Sequence, residues 1–179
     1  DLNKVDTYYS PDKNILSKLK DYLKDKQYVF TLHAGANLIT SFVITDQIHL
    51  YFSPENWKKE ILELRQQMDL KELVRGGNIH IVRPLYKNSV FYGARTIKGH
   101  KVVSDLQLYL DLYGYKPRGR EHAEYLKKVT EIMESVQNRT GDDVPQKLEG
   151  KEVAKAFYGI VTEVIKEHIG DEKKMKDAC

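Results

Sequence analysis

Three short runs rich in β-branched and aromatic residues, Tyr28–Leu32, Gln47–Phe52 and Asn78–Arg83, alternate with stretches of helical periodicity. A period-two run buries one or both faces of a strand, and a period-3.6 run buries a stripe of a helix. Their alternation restricts the chain to a sheet with helices laid against it. Parallel pairs are expected among these first strands. A fourth strand is expected at Val90–Ile97, where antiparallel pairing is open.

Helix signals fall where such an architecture needs them. Ser10-Pro11-Asp12 reads as a capped start, with Ile15, Leu16, Leu19, Tyr22 and Leu23 on one face. His33-Ala34-Gly35-Ala36-Asn37 reads as a small-residue turn into a helix, with Gly35 allowing close backbone packing. Ser53-Pro54-Glu55 repeats the capped start, and Trp57, Ile61, Leu64 and Met68 recur at i, i+4, i+7 and i+11. Gly76-Gly77 ends that segment. Ser104 and Gln107 form a capping box, and the helix they open is expected to pack through Leu106, Tyr109, Leu110 and Tyr113, with Gly114 closing it. A basic loop, Pro117-Arg118-Gly119-Arg120, precedes a helix from Glu121 to about Gln137.

The expected fold class is therefore α/β (α+β): a mixed sheet of about four strands flanked by helices, plus a C-terminal helix. The expected organisation is an α/β domain over residues 1–137, a linker over 138–150, and an amphipathic helix with a frayed tail over 151–179. In that last segment Phe157, Val161 and Val164 share a stripe, which suits docking on the domain or a partner or dimer helix.

Several function classes are excluded by what is missing. The single cysteine, Cys179, rules out a disulfide scaffold and a multi-cysteine zinc site. No apolar run approaches the ~20 residues of a membrane span. No charged-then-apolar leader opens the sequence, so cytoplasm is the expected compartment. Neither a nucleophile elbow, a P-loop, a Gly-x-Gly-x-x-Gly turn nor a His-Glu-x-x-His pair is present. His33, His49 and His80 lie at or near strand positions, and three convergent histidines can bind zinc. Structural histidines are the simpler expectation, and neither a metal nor a cofactor is assigned.

The element order also resembles the small nucleotidyltransferase fold. Such enzymes place a Gly-Ser pair after the first strand and two carboxylates at i, i+2 on the next, where they hold Mg²⁺. Here the matching stretches are Leu32-His33-Ala34-Gly35-Ala36 and Ile48-His49-Leu50-Tyr51-Phe52. The serine and both carboxylates are missing, and Asp46 stands alone before the strand. A copy of this fold without its metal ligands is expected to be catalytically dead. An enzyme acting on nucleotides or nucleic acid is the alternative reading.

Charge is unevenly spread. The formal net charge is +3, but residues 83–128 carry ten Lys/Arg against four Asp/Glu, whereas residues 129–179 carry eight against eleven. A basic middle suits phosphate or an acidic partner, and Lys101, Lys116, Arg118 and Arg120 are the expected contact residues. Asp111 sits late in its helix, an unfavourable place for an anion. It is expected to form an ion pair, or a ligand-facing cluster, with Arg118 and Arg120.

Specific stretches then resemble one family. Tyr28-Val29-Phe30-Thr31-Leu32-His33-Ala34-Gly35-Ala36 is similar to the opening of AbiEi-like proteins, and Asn78-Ile79-His80-Ile81-Val82-Arg83-Pro84 to their later strand. The strongest match is Val102-Val103-Ser104-Asp105-Leu106-Gln107-Leu108-Tyr109-Leu110-Asp111-Leu112, followed by Arg118-Gly119-Arg120-Glu121-His122-Ala123-Glu124-Tyr125-Leu126. The likeness covers about residues 8–128. It implies a non-enzymatic antitoxin and transcriptional regulator of a type IV toxin–antitoxin or phage-defence system. It further implies DNA binding through a winged helix upstream of Asp1, and a nucleotidyltransferase-like toxin as partner in the same operon. This chain would then be the effector or partner-binding part, and a homodimer is open.

Overall fold

A computed structural model describes residues 4–140 apart from 74, 75 and 117, and leaves undescribed the side chains of 87, 88 and 131–140. The chain divides into two compact units, residues 1–126 and 127–179. The first contains a six-stranded mixed sheet in the order β1-β4-β3-β2-β6-β5. Its strands are β1 (Lys4–Tyr8), β2 (Tyr28–Thr31), β3 (Ile48–Phe52), β4 (Ile79–Arg83), β5 (Arg95–Ile97) and β6 (His100–Val102). The helices are α1 (Ile15–Leu23), α2 (Leu32–Asn37), α3 (Trp57–Gln67), α4 (Lys87–Phe91), α5 (Asp105–Gly114) and α6 (Gly119–Thr140).

The three central strands lie where the period-two runs put them. Their pairing differs from the parallel expectation. β3 runs parallel to β4 but antiparallel to β2, while β2 and β6 are parallel. Two strands, β1 and β6, had no clear signal. β1 is half polar, and only its antiparallel pairing with β4 makes it a strand. The expected strand at Val90–Ile97 is shorter: Val90 and Phe91 finish α4, and Arg95–Ile97 forms a hairpin with β6. Lys98 and Gly99 turn that hairpin with φ of 49° and 79°. Two positive φ angles in a two-residue loop match the twist of the flanking strands.

Helix starts also moved. Ser10 does not cap α1. It is buried, donating its N–H to Asn78 Oδ1 at 2.9 Å while the Asn78 amide donates to its carbonyl at 2.8 Å. Asp12 Oδ1 instead accepts from the N–H of Asn14, one residue before α1. The α3 cap is Asn56, which accepts from the Lys59 N–H at 3.1 Å. The small-residue stretch after β2 is itself helix α2, with no turn before it. Gly35 behaves as expected: a Cβ there would lie 3.1 Å from Val102 Cγ1 and 3.2 Å from Phe30 O.

Strand alternation divides the interior into two clusters. Phe30, Ile48, Leu50, Phe52, Ile79 and Ile81 pack with Leu19 and Leu23 of α1 and with Trp57, Ile61 and Leu64 of α3. Val29, Tyr51 and Val82, from the alternate positions, pack with Leu108 and Leu112 of α5 and with Ala123 and Leu126 of α6. The face that α5 buries is thus Leu108 and Leu112, both fully buried, and not the expected Leu106 and Leu110, which are 70% and 55% exposed. The helix is apolar on both sides, so periodicity alone selects neither.

The expected linker begins inside α6, which continues through Asn138 to Thr140. Residues 141–150 of the linker and the segment 151–179 lie outside the described residues.

Candidate functional site

The second face of the sheet is unusual in being polar. Register places Thr7 beside His80, His80 beside His49, and His49 beside Thr31. One row across four adjacent strands is therefore hydroxyl, imidazole, imidazole, hydroxyl. The next row is Val5, Val82, Tyr51 and Val29. Because α5 and α6 cover this face, each polar group needs a partner or carries a desolvation penalty.

The hydrogen bonds can be followed atom by atom. Gln47 Nε2 donates to Asp46 Oδ1, which leaves Gln47 Oε1 to accept from His80 Nε2–H at 2.7 Å. His80 Nδ1 then carries no proton, and accepts from the Thr7 hydroxyl at 3.1 Å. A second chain joins α2 to α6. The Thr40 hydroxyl donates to Ala36 O, so it accepts from His122 Nε2–H at 2.8 Å. His122 Nδ1 is left as an acceptor, and His33 Nδ1–H donates to it at 2.9 Å. With His80 and His122 neutral, every donor in the two chains meets an acceptor. Burial depresses both imidazoles, His122 to about 4 with the neighbouring His33 and Arg118 adding to the effect.

His49 stands between the two chains. Its ring stacks on His80 with centroids 4.2 Å apart, and Tyr115 meets both His49 and His33 edge-on at 5.2 and 5.4 Å. Burial, with His80 and His33 nearby, lowers its pKa to about 3. Its Nδ1 is buried and has no hydrogen-bond partner among the described residues. Of the three histidines singled out by the sequence, His33 and His49 meet Tyr115 and His80 stacks on His49, while His33 bonds to His122. Among the described residues no group of three or more His, Cys, Asp or Glu is arranged to hold a metal ion.

Beside His49, Asp111 reaches from α5 to the sheet. Thr31 Oγ1 donates to its Oδ2 at 2.5 Å, while Tyr51 OH and Gln107 Nε2 donate to its Oδ1 at 3.2 and 2.7 Å. Burial raises the carboxyl pKa and the three donors oppose that rise. Burial also raises the Tyr51 phenol, helped by the adjacent carboxylate. Thr31, Leu32, His49, Tyr51, Asp111 and Tyr115 help to line a cleft of about 280 Å³. Leu32 enters α2 with φ of 51°, a left-handed conformation that costs a non-glycine residue about 1–2 kcal/mol.

The expected partners of Asp111 are engaged elsewhere. Arg118 Nε donates to Glu121 Oε2 at 3.1 Å. Arg120 donates to Tyr113 OH at 2.7 Å, with its guanidinium 4.5 Å from the ring centroid. Neutral donors satisfy the buried carboxylate, so the arginines remain at the surface. Of the expected contact residues, Lys116, Arg118 and Arg120 lie together at the α5–α6 junction and are exposed. Lys101 does not join them: its Nζ donates to Lys24 O at 2.9 Å, after the end of α1. Phe157, Val161 and Val164 lie outside the described residues.

The motif that carried the family likeness has a structural reading at nearly every position. Ser104 Oγ accepts from the Gln107 N–H at 3.2 Å, so the capping box is half made, because the Gln107 side chain turns to Asp111. Tyr109 OH donates to Glu124 Oε1 at 2.9 Å. At Gly119 a Cβ would overlap the Leu112 carbonyl. His122 and Ala123 are fully buried. His122 and Thr40 carried no separate signal in the sequence. For Tyr51 and His49, their i, i+2 spacing on a strand is a signal that could have found them.

A family model described as "Transcriptional regulator, AbiEi antitoxin, Type IV TA system" matches residues 6–133. No curated protein and no solved structure matches the chain.

Proposed function

The chain belongs to the AbiEi antitoxin family of transcriptional regulators of type IV toxin–antitoxin systems, and from that premise we propose that it regulates by contact, without catalysis, using the α5–α6 junction to meet DNA. The observation that carries this reading is the exposed group of Lys116, Arg118 and Arg120, with the half-buried Asp111 bonded to Thr31 and not to them. Cations held at a surface by a tyrosine ring and a single exposed carboxylate remain available to phosphate. Consistent with the absence of catalysis, β3 carries His49 and Tyr51 where a nucleotidyltransferase would carry its metal-binding carboxylates.

The test is titration of the full chain into fluorescent duplex from its own promoter at several salt concentrations. Binding that weakens steeply with salt is expected. Replacing Arg118 and Arg120 by alanine should lower the salt slope by about two. Unchanged binding in that variant overturns the assignment. Magnesium-dependent binding of a nucleoside triphosphate would favour the enzymatic alternative.

A second reading rests on its own observation. Leu106 and Leu110 of α5 are exposed and, with Tyr92, line a shallow groove of about 400 Å³. An exposed apolar patch at helical spacing suits a protein partner, and the toxin of such a system is the partner this reading names. Co-expression with the neighbouring toxin gene tests it: Leu106→Glu with Leu110→Glu should abolish growth rescue while leaving the fold intact. The Phe157, Val161 and Val164 stripe is proposed as a self-association helix. Truncation at Gly141 should then reduce the sedimenting mass.

A further inference from the structure

We propose that the cleft between the polar sheet face and α5 is a binding site for a guanidinium group, with Asp111 as its counter-ion. Three observations converge. First, Asp111 is a mostly buried carboxylate without a cation. Its three partners, Thr31, Tyr51 and Gln107, are all neutral, and among the described residues no ion pair includes it. Neutral donors satisfy lone pairs but leave the charge uncompensated, and burial accordingly pushes its pKa up.

Second, the two hydroxyls that hold Asp111 leave acceptors toward the cleft. The Thr31 and Tyr51 hydroxyls both give their protons to Asp111, so only their lone pairs remain. His49 is 94% buried, since 6% of it is exposed, and its Nδ1 has no partner. A neutral imidazole can hold its proton on Nε2 and present Nδ1 as an acceptor. A ligand that complements these lone pairs and the Asp111 carboxylate offers several donors. A guanidinium has five N–H groups on a substituted plane and no lone pair.

Third, the walls suit a flat cation. Tyr51, His49 and Tyr115 line the cleft, and a planar guanidinium stacks on aromatic faces more readily than a hydrated ammonium does. The volume of about 280 Å³ admits such a group with a short stem. Leu32, the left-handed residue at the start of α2, also lines the cleft. Backbone strain of this kind collects at ligand sites.

The guanidinium could be carried by a free small molecule or by an arginine side chain of a partner. The chemistry is the same, and it does not depend on what the α5–α6 junction contacts. The test is titration of the full chain with methylguanidinium, with blocked arginine (N-acetylarginine amide), and with methylurea, a neutral compound of the same shape. Binding is followed by the imidazole and tyrosine NMR signals of the cleft. Saturable shifts of the His49 and Tyr115 signals are expected with the cations at millimolar concentration, and none with methylurea. Tighter binding of blocked arginine would point to a protein side chain, and equal or weaker binding to a free small cation. Asp111→Asn should weaken binding at least about tenfold, because it removes the charge and keeps the shape. Should that variant fail to fold, Tyr115→Leu removes a wall and should weaken binding several-fold. Equal shifts with methylurea, shifts confined to other surfaces, or no shift at all would each overturn the site.

Discussion

The two faces of the same strands bury opposite kinds of chemistry. On one, Phe30, Leu50, Phe52, Ile79 and Ile81 meet α1 and α3 as hydrocarbon. On the other, Thr7, His80, His49 and Thr31 form a polar row, and Asp111 descends onto it from α5. The first face gains stability from any well-packed apolar residue. The second is stable only while each donor finds its acceptor, because the groups are cut off from water. The polar face brings two strand imidazoles, His33 and His122 of the covering helices and the Asp111 carboxylate together where hydrocarbon would have carried less risk.

The sharpest break of this contrast is on the apolar side. Phe52→Ala should cost about 3–5 kcal/mol in denaturant unfolding, through lost transfer energy and the cavity left behind. A loss below that of any polar-face variant would mean the hydrocarbon face is not the main core. Next comes Asp111→Ala, which leaves the donors on Thr31, Tyr51 and Gln107 without their acceptor and should cost about 2–4 kcal/mol. A loss near zero would show that water replaces the carboxylate freely.

Acid separates the faces without mutation. His49 and His122 titrate near 3 and 4 in the folded chain, against 6.5 when unfolded. Between those values the unfolded chain binds more protons, so stability falls as pH drops below about 6.5 and is fully present above it. Going from pH 7 to 5.5 should remove about 1 kcal/mol for each of the two, read as a drop in the denaturant midpoint. Asp111 works in the opposite sense, since its raised pKa makes protonation favour the fold. His122→Asn should flatten part of the pH dependence; an unchanged profile would remove His122 from the account. Smallest is the surface pair: Arg118→Ala with Arg120→Ala should change stability by less than about 0.5 kcal/mol, because both side chains act in high dielectric. A larger loss, measured by thermal melting, would give the α5–α6 junction a structural role.

The local code of this chain was legible where burial is one-sided and continuous. β2, β3 and β4 stand out because each is a dense run of β-branched and aromatic residues, and the Ser104 cap of α5 follows from side-chain reach alone. β1 was not legible, because its sequence becomes a strand only when β4 supplies the ladder. In α5 the apolar residues surround the helix, and only contact with the sheet decided that Leu108 and Leu112 go inward while Leu106 and Leu110 stay out.

The candidate site was less legible than the fold. Residue types pointed to Asp111 and to histidines on strands, but the arginines nearest in sequence to Asp111 are not its partners. Helix direction carries Asp111 inward to Thr31, 80 residues away, and to Tyr51, 60 residues away. The sequence by itself determined the central strands, the main helices and the residues able to take part, because helix and strand periodicity and capping act over a few neighbouring residues. Tertiary structure alone decided the pairing of strands, the stacking of His49 on His80 and the neutral cradle of Asp111. Register and packing direction are long-range, and they settle which buried polar groups must satisfy one another.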